Sequence, residues 1–491
     1  MNNATSVDPP SQRSLRFAVI GAGMAGILSA IKLIESGYSE VTVYEKGDQV
    51  GGTWRENTYP GIACDVPSHL YSYSFAPNAE WSHTFSPGAE IHAYFERIAR
   101  EYGVIDRIRF GETVVGCDYE SGQWQVETAA GNRDAVDVVI SATGVLHHPK
   151  YPEIPGLDSF AGAAFHSSRW DHSVPLDGAR VGVIGTGSTA VQITTALARR
   201  VGHYSLFQRT AQWVLPQENA AYSDAQIAEF RANRDLLIQT HDNLAVAFGG
   251  FASAVIDADS AGMAIIEQMC LQNLETVRDP ELKERLRPTY RAGCKRLVVA
   301  PDFYEAIQAP TADLVDAPIA RIEPTGVRTT DGVLHELDVL VLATGFRADA
   351  FIRPMQVTGR NGVTLDDRWA QRPNAYLSMT MPDFPNFFMV NGPNGPVGNF
   401  SLIEVAELQF SYILQLIEQL RSGACREISP TMVAMDTHEA ARVDAAQASI
   451  WVTGCQSWYL DDRGIPATWP WTFDRFREVM AAPDPQAFER I

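Results

Sequence analysis

The sequence predicts an α/β fold built from two Rossmann-like dinucleotide-binding domains, the second carrying a helical insertion. Three observations support this. Two glycine-rich loops, G-A-G-M-A-G at Gly21, Gly23 and Gly26 and G-T-G-S-T-A at Gly185, Gly187 and Ala190, each follow a short β-rich run and open a helical stretch. An apolar run ending in A-T-G occurs twice, within Val136–Gly144 and Leu337–Phe346, each placed to close one nucleotide-binding half. Between 215 and 290 the composition shifts to Gln, Asn, Ala, Glu and Leu with helical periodicity, which reads as a helical excursion from the second half.

In the first half, Phe17–Ile20 is expected as a strand, Met24–Ser36 as a helix and Val41–Glu45 as the next strand. Gly21 permits the tight turn, Gly23 lets the backbone approach a pyrophosphate, and Gly26 lets helix pack on strand. Met24 and Ala25 then stand at the helix N-terminus that meets the phosphates. Glu45 follows Gly26 by 19 residues, the place from which an acid accepts hydrogen bonds from a ribose, with Lys46 beside it.

In the second half the phosphate site comprises Gly185, Thr186, Gly187, Ser188, Thr189 and Ala190, with Gln192 in the helix that follows. Arg209 follows Ala190 by the same 19 residues, so a base stands where the first half has its acid. An Arg there, with Thr210 next to it, suits a 2′-phosphate and favours NADP over NAD. The crossings between domains are expected near 145–155 and at 346. The boundaries are then 1–147 and 346–491 for the first domain, 155–214 and 291–345 for the second, and 215–290 for the insertion. Within 346–491, Phe384–Val390 reads as a buried strand, 391–398 as a backbone-rich loop and Ile403–Leu420 as an amphipathic helix.

Composition narrows the partners. With 39 Lys plus Arg against 59 Asp plus Glu the formal charge is −20, a field that repels nucleic acid and anionic lipid surfaces. Anionic cofactors must then be held by locally placed bases and helix N-termini. The six cysteines are never closer than 24 residues, so no C-x-x-C metal or redox pair exists, and a disulfide-reductase reading of the two-dinucleotide plan fails. Free thiols in a reducing cytoplasm are the simplest expectation. Residues 1–15 have no apolar core, so no secretory signal is expected, and the longest apolar stretch, Phe17 to Ile34, is interrupted by three glycines and reads as strand, turn and helix instead of a membrane span.

Two further segments specify the family. G-G-T-W-R-E-N-T-Y-P-G-I-A-C-D, Gly51 to Asp65, fits [A/G]-G-x-W-x-x-x-x-[F/Y]-P-[G/M]-x-x-x-D in full, and F-A-G-A-A-F-H-S-S-R-W-D, Phe160 to Asp171, fits F-x-G-x-x-x-H-x-x-x-W-[P/D]. Together with the two loops they resemble type I Baeyer-Villiger monooxygenases over nearly the whole chain, from about residue 16 to about 480. The resemblance implies FAD in the first domain and NADPH in the second, with O2 and a ketone as the reactants. Its cycle runs through a C4a-peroxyflavin and yields an ester or lactone. It implies that Gly52, Thr53 and Trp54 lie along the flavin, that Tyr71 contacts it, and that Val114 belongs to the FAD site. It assigns Lys295 to the 2′-phosphate, Arg296 to the flavin face and Trp458 to the nicotinamide side, with Asp65 orienting Arg296. A fixed cation beside a flavin keeps an anionic oxidant nucleophilic without deprotonating. His166, by contrast, reads as a hydrogen-bonded residue coupling two domains. Two alternatives stand: an N- or S-oxygenating flavin monooxygenase, and a non-enzymatic nucleotide-binding regulator. The ketone and the oligomeric state are not legible.

Overall fold

The computed structural model describes residues 13–491 other than 258, 397, 399, 456 and 458. β-Branched and aromatic runs form its two principal sheets, and nearly every residue in their central strands is buried, as all-parallel sheets require. The first sheet has the order Phe387–Met389, Val138–Ser141, Arg16–Ile20, Glu40–Glu45 and Ile108–Phe110, parallel throughout. The second has the order Ala312–Val315, His203–Phe207, Arg180–Ile184, Val339–Leu342 and Ala163–His166, also parallel. Both A-T-G runs are therefore sheet strands beside the strand that feeds a glycine loop.

The helix Met24–Glu35 packs on the first sheet through a backbone contact that only glycine allows. A Cβ on Gly26 would stand 1.8 Å from the carbonyl oxygen of Gly21, whose own φ is +102°. The turn and the helix seat are thus one interlocked feature.

After the second sheet the chain rejoins the first unit twice. Phe387–Met389 pairs with Val138–Ser141, and Gln356–Thr358 adds to the four-stranded sheet begun by Val114–Glu120. The helix Leu402–Arg421 then buries one face against the first unit's core.

The described residues of 215–290 contain four helices: Asp224–Ala232, Arg234–Ile256, Ala261–Leu274 and Pro280–Arg285. Their starts are capped by the side chains of Ser223, Asn233, Ser260 and Asp279. Val214–Leu215 pairs in parallel with Val298–Val299, so the chain leaves and re-enters at one point, immediately beside Lys295 and Arg296. Ala245 and Ala252 of the long helix belong to the first sheet's core, so the insertion also braces the first unit.

His166 ties the two crossings, as the sequence suggested. It is fully buried; its Nδ1 accepts from the Ser168 amide at 3.1 Å, which leaves Nε2 to donate to the Gly345 carbonyl at 3.0 Å. Burial, against a smaller opposing effect of the Gly345 bond, holds its pKa below the ordinary histidine value, in keeping with the acceptor role of Nδ1. Lys150 donates its amide to the same carbonyl. Residues 148–150 and 345–347 run side by side there.

One expectation is overturned. Cys294 and Cys455 are joined in a disulfide across 161 residues, so the six cysteines are not all free thiols. Local spacing could not reveal it, because the pairing of Val298–Val299 with Val214–Leu215 carries Cys294 back against the carboxy-terminal segment only in the folded chain. Cys64, Cys117, Cys270 and Cys425 are free and buried.

Candidate active site

A cleft of about 1590 Å³ runs between the two parallel sheets and is lined from both glycine loops, the Gly51–Asp65 segment, both A-T-G ends and the 390–402 loop. It is larger than the roughly 300–1,000 Å³ of a site for one small ligand. Two dinucleotides meeting head to head need such a volume.

Both ends of the cleft are built for anions. The helices Met24–Glu35 and Ser188–Leu197 start at Gly23 and Gly187 with no side-chain cap and no acid in the first turn, unlike the capped helices of the insertion. Their first-turn amides therefore lack side-chain acceptors and face the cleft, as a pyrophosphate site requires. Of the expected site residues, Gly21, Gly23, Met24, Ala25, Gly52, Thr53, Trp54, Val114, Gly185, Thr186, Gly187, Ser188 and Thr189 all line it. Gly26 and Ala190 lie behind the lining, where helix meets strand.

At the first end, Glu45 is buried and accepts from the amides of Ala22 and Gly47 and from Arg55, each at 2.8 Å. A carboxylate offers about four acceptor sites, so roughly one remains for a ribose hydroxyl. Lys46 pairs with Glu56 at 3.1 Å, and Arg55 bridges Glu45 to Glu56. Arg55, Glu56 and the neighbouring His147 were not expected here. Position Arg55 inside the Gly51–Asp65 signature was the one available signal.

At the second end, Thr186 Oγ1 donates to the Thr210 carbonyl at 2.8 Å, fixing the loop against the strand end that carries Arg209. Lys295 lies over the Tyr290 ring at 4.6 Å. Burial lowers its pKa, and repulsion from Arg209 lowers it further. Neither base has a carboxylate partner among the described residues. Two like charges brought together without a counter-ion suit a dianionic ligand group.

Between the ends stands Arg296. Its Nε donates to Asp65 Oδ2 at 3.1 Å, Nη2 donates to the same oxygen, and Nη1 donates to the Gly398 carbonyl at 3.0 Å. The Tyr459 hydroxyl lies beside the guanidinium and against Gly398. Burial works against the charge, but Asp65 and Tyr459 more than offset it and hold Arg296 above its ordinary pKa. The side chain remains 34% exposed, and that surface faces the cleft. Asp65 belongs to the first unit, Arg296 to the second and Gly398 to the returning chain, so the cation is fixed where all three converge.

Trp54 and Tyr71 also line the cleft, Trp54 Nε1 donating to the Tyr71 hydroxyl at 3.1 Å. Gln192 lines the cleft with its amide already engaged: Tyr59 donates to its oxygen at 2.8 Å and its nitrogen donates to the Ala63 carbonyl at 3.0 Å. It ties the Gly51–Asp65 segment to the second glycine helix. Trp458 lies outside the described residues. Tyr459 and Gly398 were missed, and the S-W-Y triplet at 457–459 is the signal that bears on Tyr459.

A model of flavin-binding monooxygenase-like proteins matches residues 14–242. A Baeyer-Villiger monooxygenase of Streptomyces coelicolor is 39% identical over 94% of this chain and 90% of its own length. The chain belongs to the type I Baeyer-Villiger monooxygenases. An uncharacterised monooxygenase of Mycobacterium tuberculosis is 48% identical over 96% of this chain and 95% of its own. Among solved structures, cyclohexanone monooxygenase from Rhodococcus sp. Phi1 bound to NADP+ superposes with a TM-score of 0.85 at 31% identity, over 96% of this chain and 97% of that one. As a Baeyer-Villiger monooxygenase the chain is a flavin-dependent oxygenase, and a regulator without catalysis is excluded. Among the described residues no helix is long and apolar enough to cross a membrane, and no group of His, Cys, Asp and Glu could hold a metal ion.

Proposed function

We propose that this monooxygenase inserts one oxygen atom of O2 beside the carbonyl of a ketone, giving an ester or lactone, with FAD and NADPH as cofactors. The observation that carries it is Arg296, fixed between the two anion-binding ends by Asp65 and the Gly398 carbonyl. Residues 1–147 and 346–491 form the FAD domain, 155–214 and 291–345 the NADP domain, and 215–290 the helical insertion. The acidic net charge argues against a nucleic-acid partner, and the protein is assigned to the cytoplasm.

The residues present fit both cofactors. The loop at Gly21, Gly23, Met24, Ala25 and Gly26 would hold the FAD pyrophosphate, Glu45 would take a ribose hydroxyl, and Gly52, Thr53, Trp54 and Tyr71 would border the ring. Gly185–Ala190 would hold the NADPH pyrophosphate, while Arg209, Thr210 and Lys295 would receive its 2′-phosphate. When bound, reduced FAD supplies the activated oxygen. The chain's task is electrostatic and geometric. Arg296 places a permanent positive charge where negative charge develops, and Asp65 sets the plane of its guanidinium.

A panel of cyclic, aryl and long-chain ketones, with products identified by gas chromatography, tests this directly. Esters or lactones formed in step with NADPH consumption are expected. Oxidation of sulfides or amines with no ketone converted would assign the chain to the electrophilic oxygenases instead.

The FAD is expected to be noncovalent, because the Gly21 loop and Glu45 need only noncovalent contacts to hold it. The purified protein should be yellow, and acid precipitation should leave the flavin in the supernatant. Flavin retained in the pellet would contradict this.

A further inference from the structure

We infer that Cys294 and Cys455 form an oxidisable strap that positions Arg296 against the carboxy-terminal wall of the cleft, closed by a peroxide and opened by a dithiol. Their Cα atoms are 6.1 Å apart, a separation any bridge can span. The neighbours of each sulfur give the bridge its consequence. Cys294 directly precedes Lys295 and Arg296; Cys455 leads to Tyr459, which lies beside the Arg296 guanidinium. One covalent link therefore joins two segments that converge on the same cation.

Closure is a two-electron oxidation of the sulfurs. One thiolate attacks an oxygen of hydrogen peroxide; the O–O bond breaks, water leaves and a sulfenic acid remains. The second thiol attacks that sulfur, the S–O bond breaks and a second water departs. A dithiol reverses this by returning two electrons and two protons, ending as its own disulfide. Cys294 is fully buried and Cys455 is 7% exposed, so a peroxide reaches Cys455 first.

Opening the strap loosens the site without unfolding it. Trp213, Leu297, Ile450, Trp451 and Tyr459 form an apolar cluster on both sides of the bridge and hold the segments together when it is reduced. Unbonded sulfurs need only van der Waals spacing, so once the bond is gone the two segments are free to separate by on the order of 1 Å. A shift of that size at a catalytic group can cost up to about a hundredfold. This effect on turnover rests on the role proposed for Arg296; the existence of the bridge does not.

The test has two parts, the first independent of activity. Holoenzyme prepared without reductant, then denatured, is expected to titrate four of its six thiols and to yield a linked peptide containing Cys294 and Cys455; after dithiol treatment all six should titrate. Six thiols before treatment would overturn the proposal. Second, the ratio of oxygenated product to hydrogen peroxide should fall about tenfold in dithiol-treated holoenzyme with FAD content unchanged, and recover on stoichiometric hydrogen peroxide. Cys455→Ser should stay at the lower ratio under both treatments. A bridge whose opening leaves the ratio unaltered would overturn the positioning role. Failure of the Arg296 assignment itself would show separately, as an Arg296→Ala variant that keeps its coupling.

Discussion

Arg296→Ala is expected to lose ester formation by about a hundred- to a thousandfold while still binding FAD and still oxidising NADPH. The cation serves the oxygen half of the cycle. Hydride transfer depends chiefly on stacking and distance, which the glycine loops and the Trp54–Tyr71 wall set, so flavin reduction should slow only modestly. Without Arg296 the negative charge that develops near the flavin meets no fixed positive partner, and Asp65 becomes an uncompensated carboxylate in the same cleft. Reduced enzyme mixed with oxygen in a stopped-flow instrument should return to oxidised flavin in one step, with hydrogen peroxide replacing ester. Arg296→Lys should recover little, because an ammonium cannot hold Asp65 Oδ2 and the Gly398 carbonyl in one plane. Near wild-type ester formation by the Ala variant would show that the catalytic charge lies elsewhere.

What could be read from the chain beforehand follows a physical division. Phosphate binding uses backbone amides at helix starts, so it demands glycines at fixed local spacing, and both loops and both A-T-G strands were visible. The helix expected over 24–36 runs over Met24–Glu35, and the strand expected within 384–390 is Phe387–Met389. The Asp65–Arg296 contact spans 231 residues and was inferred from two motifs of one family, never from spacing. Contacts without a motif were invisible. Gln192 lines the cleft and also bonds Tyr59 and Ala63, because the fold lays the Gly51–Asp65 segment across the second helix. Arg55 shares Glu45 for the same kind of reason: the signature's short helix folds back over the strand end. The Cys294–Cys455 bridge belongs with these, since only the re-entry of the chain at Val298–Val299 brings its halves together.

Coenzyme choice gives the second large effect. Arg209→Ala should weaken NADPH by about ten- to a hundredfold and leave NADH nearly unchanged, since a hydrogen bond to a charged group contributes roughly 1.5–3 kcal/mol. The position of Arg209 supports this selectivity. It stands at the end of the strand His203–Phe207, held there by the Thr186–Thr210 bond, with Lys295 close enough to feel its charge. Neither base has a carboxylate to satisfy it among the described residues, and their mutual repulsion is relieved when a dianion binds between them. NADH brings no 2′-phosphate and leaves that repulsion in place, so removing Arg209 costs it nothing and relieves Lys295. The variant should therefore also bind NADPH with a weaker dependence on salt, as one charge contact fewer remains to be screened. Titration of both coenzymes into the oxidised holoenzyme at two ionic strengths measures each quantity. Equal losses for NADPH and NADH would show that Arg209 supports the nucleotide fold instead of reading the phosphate.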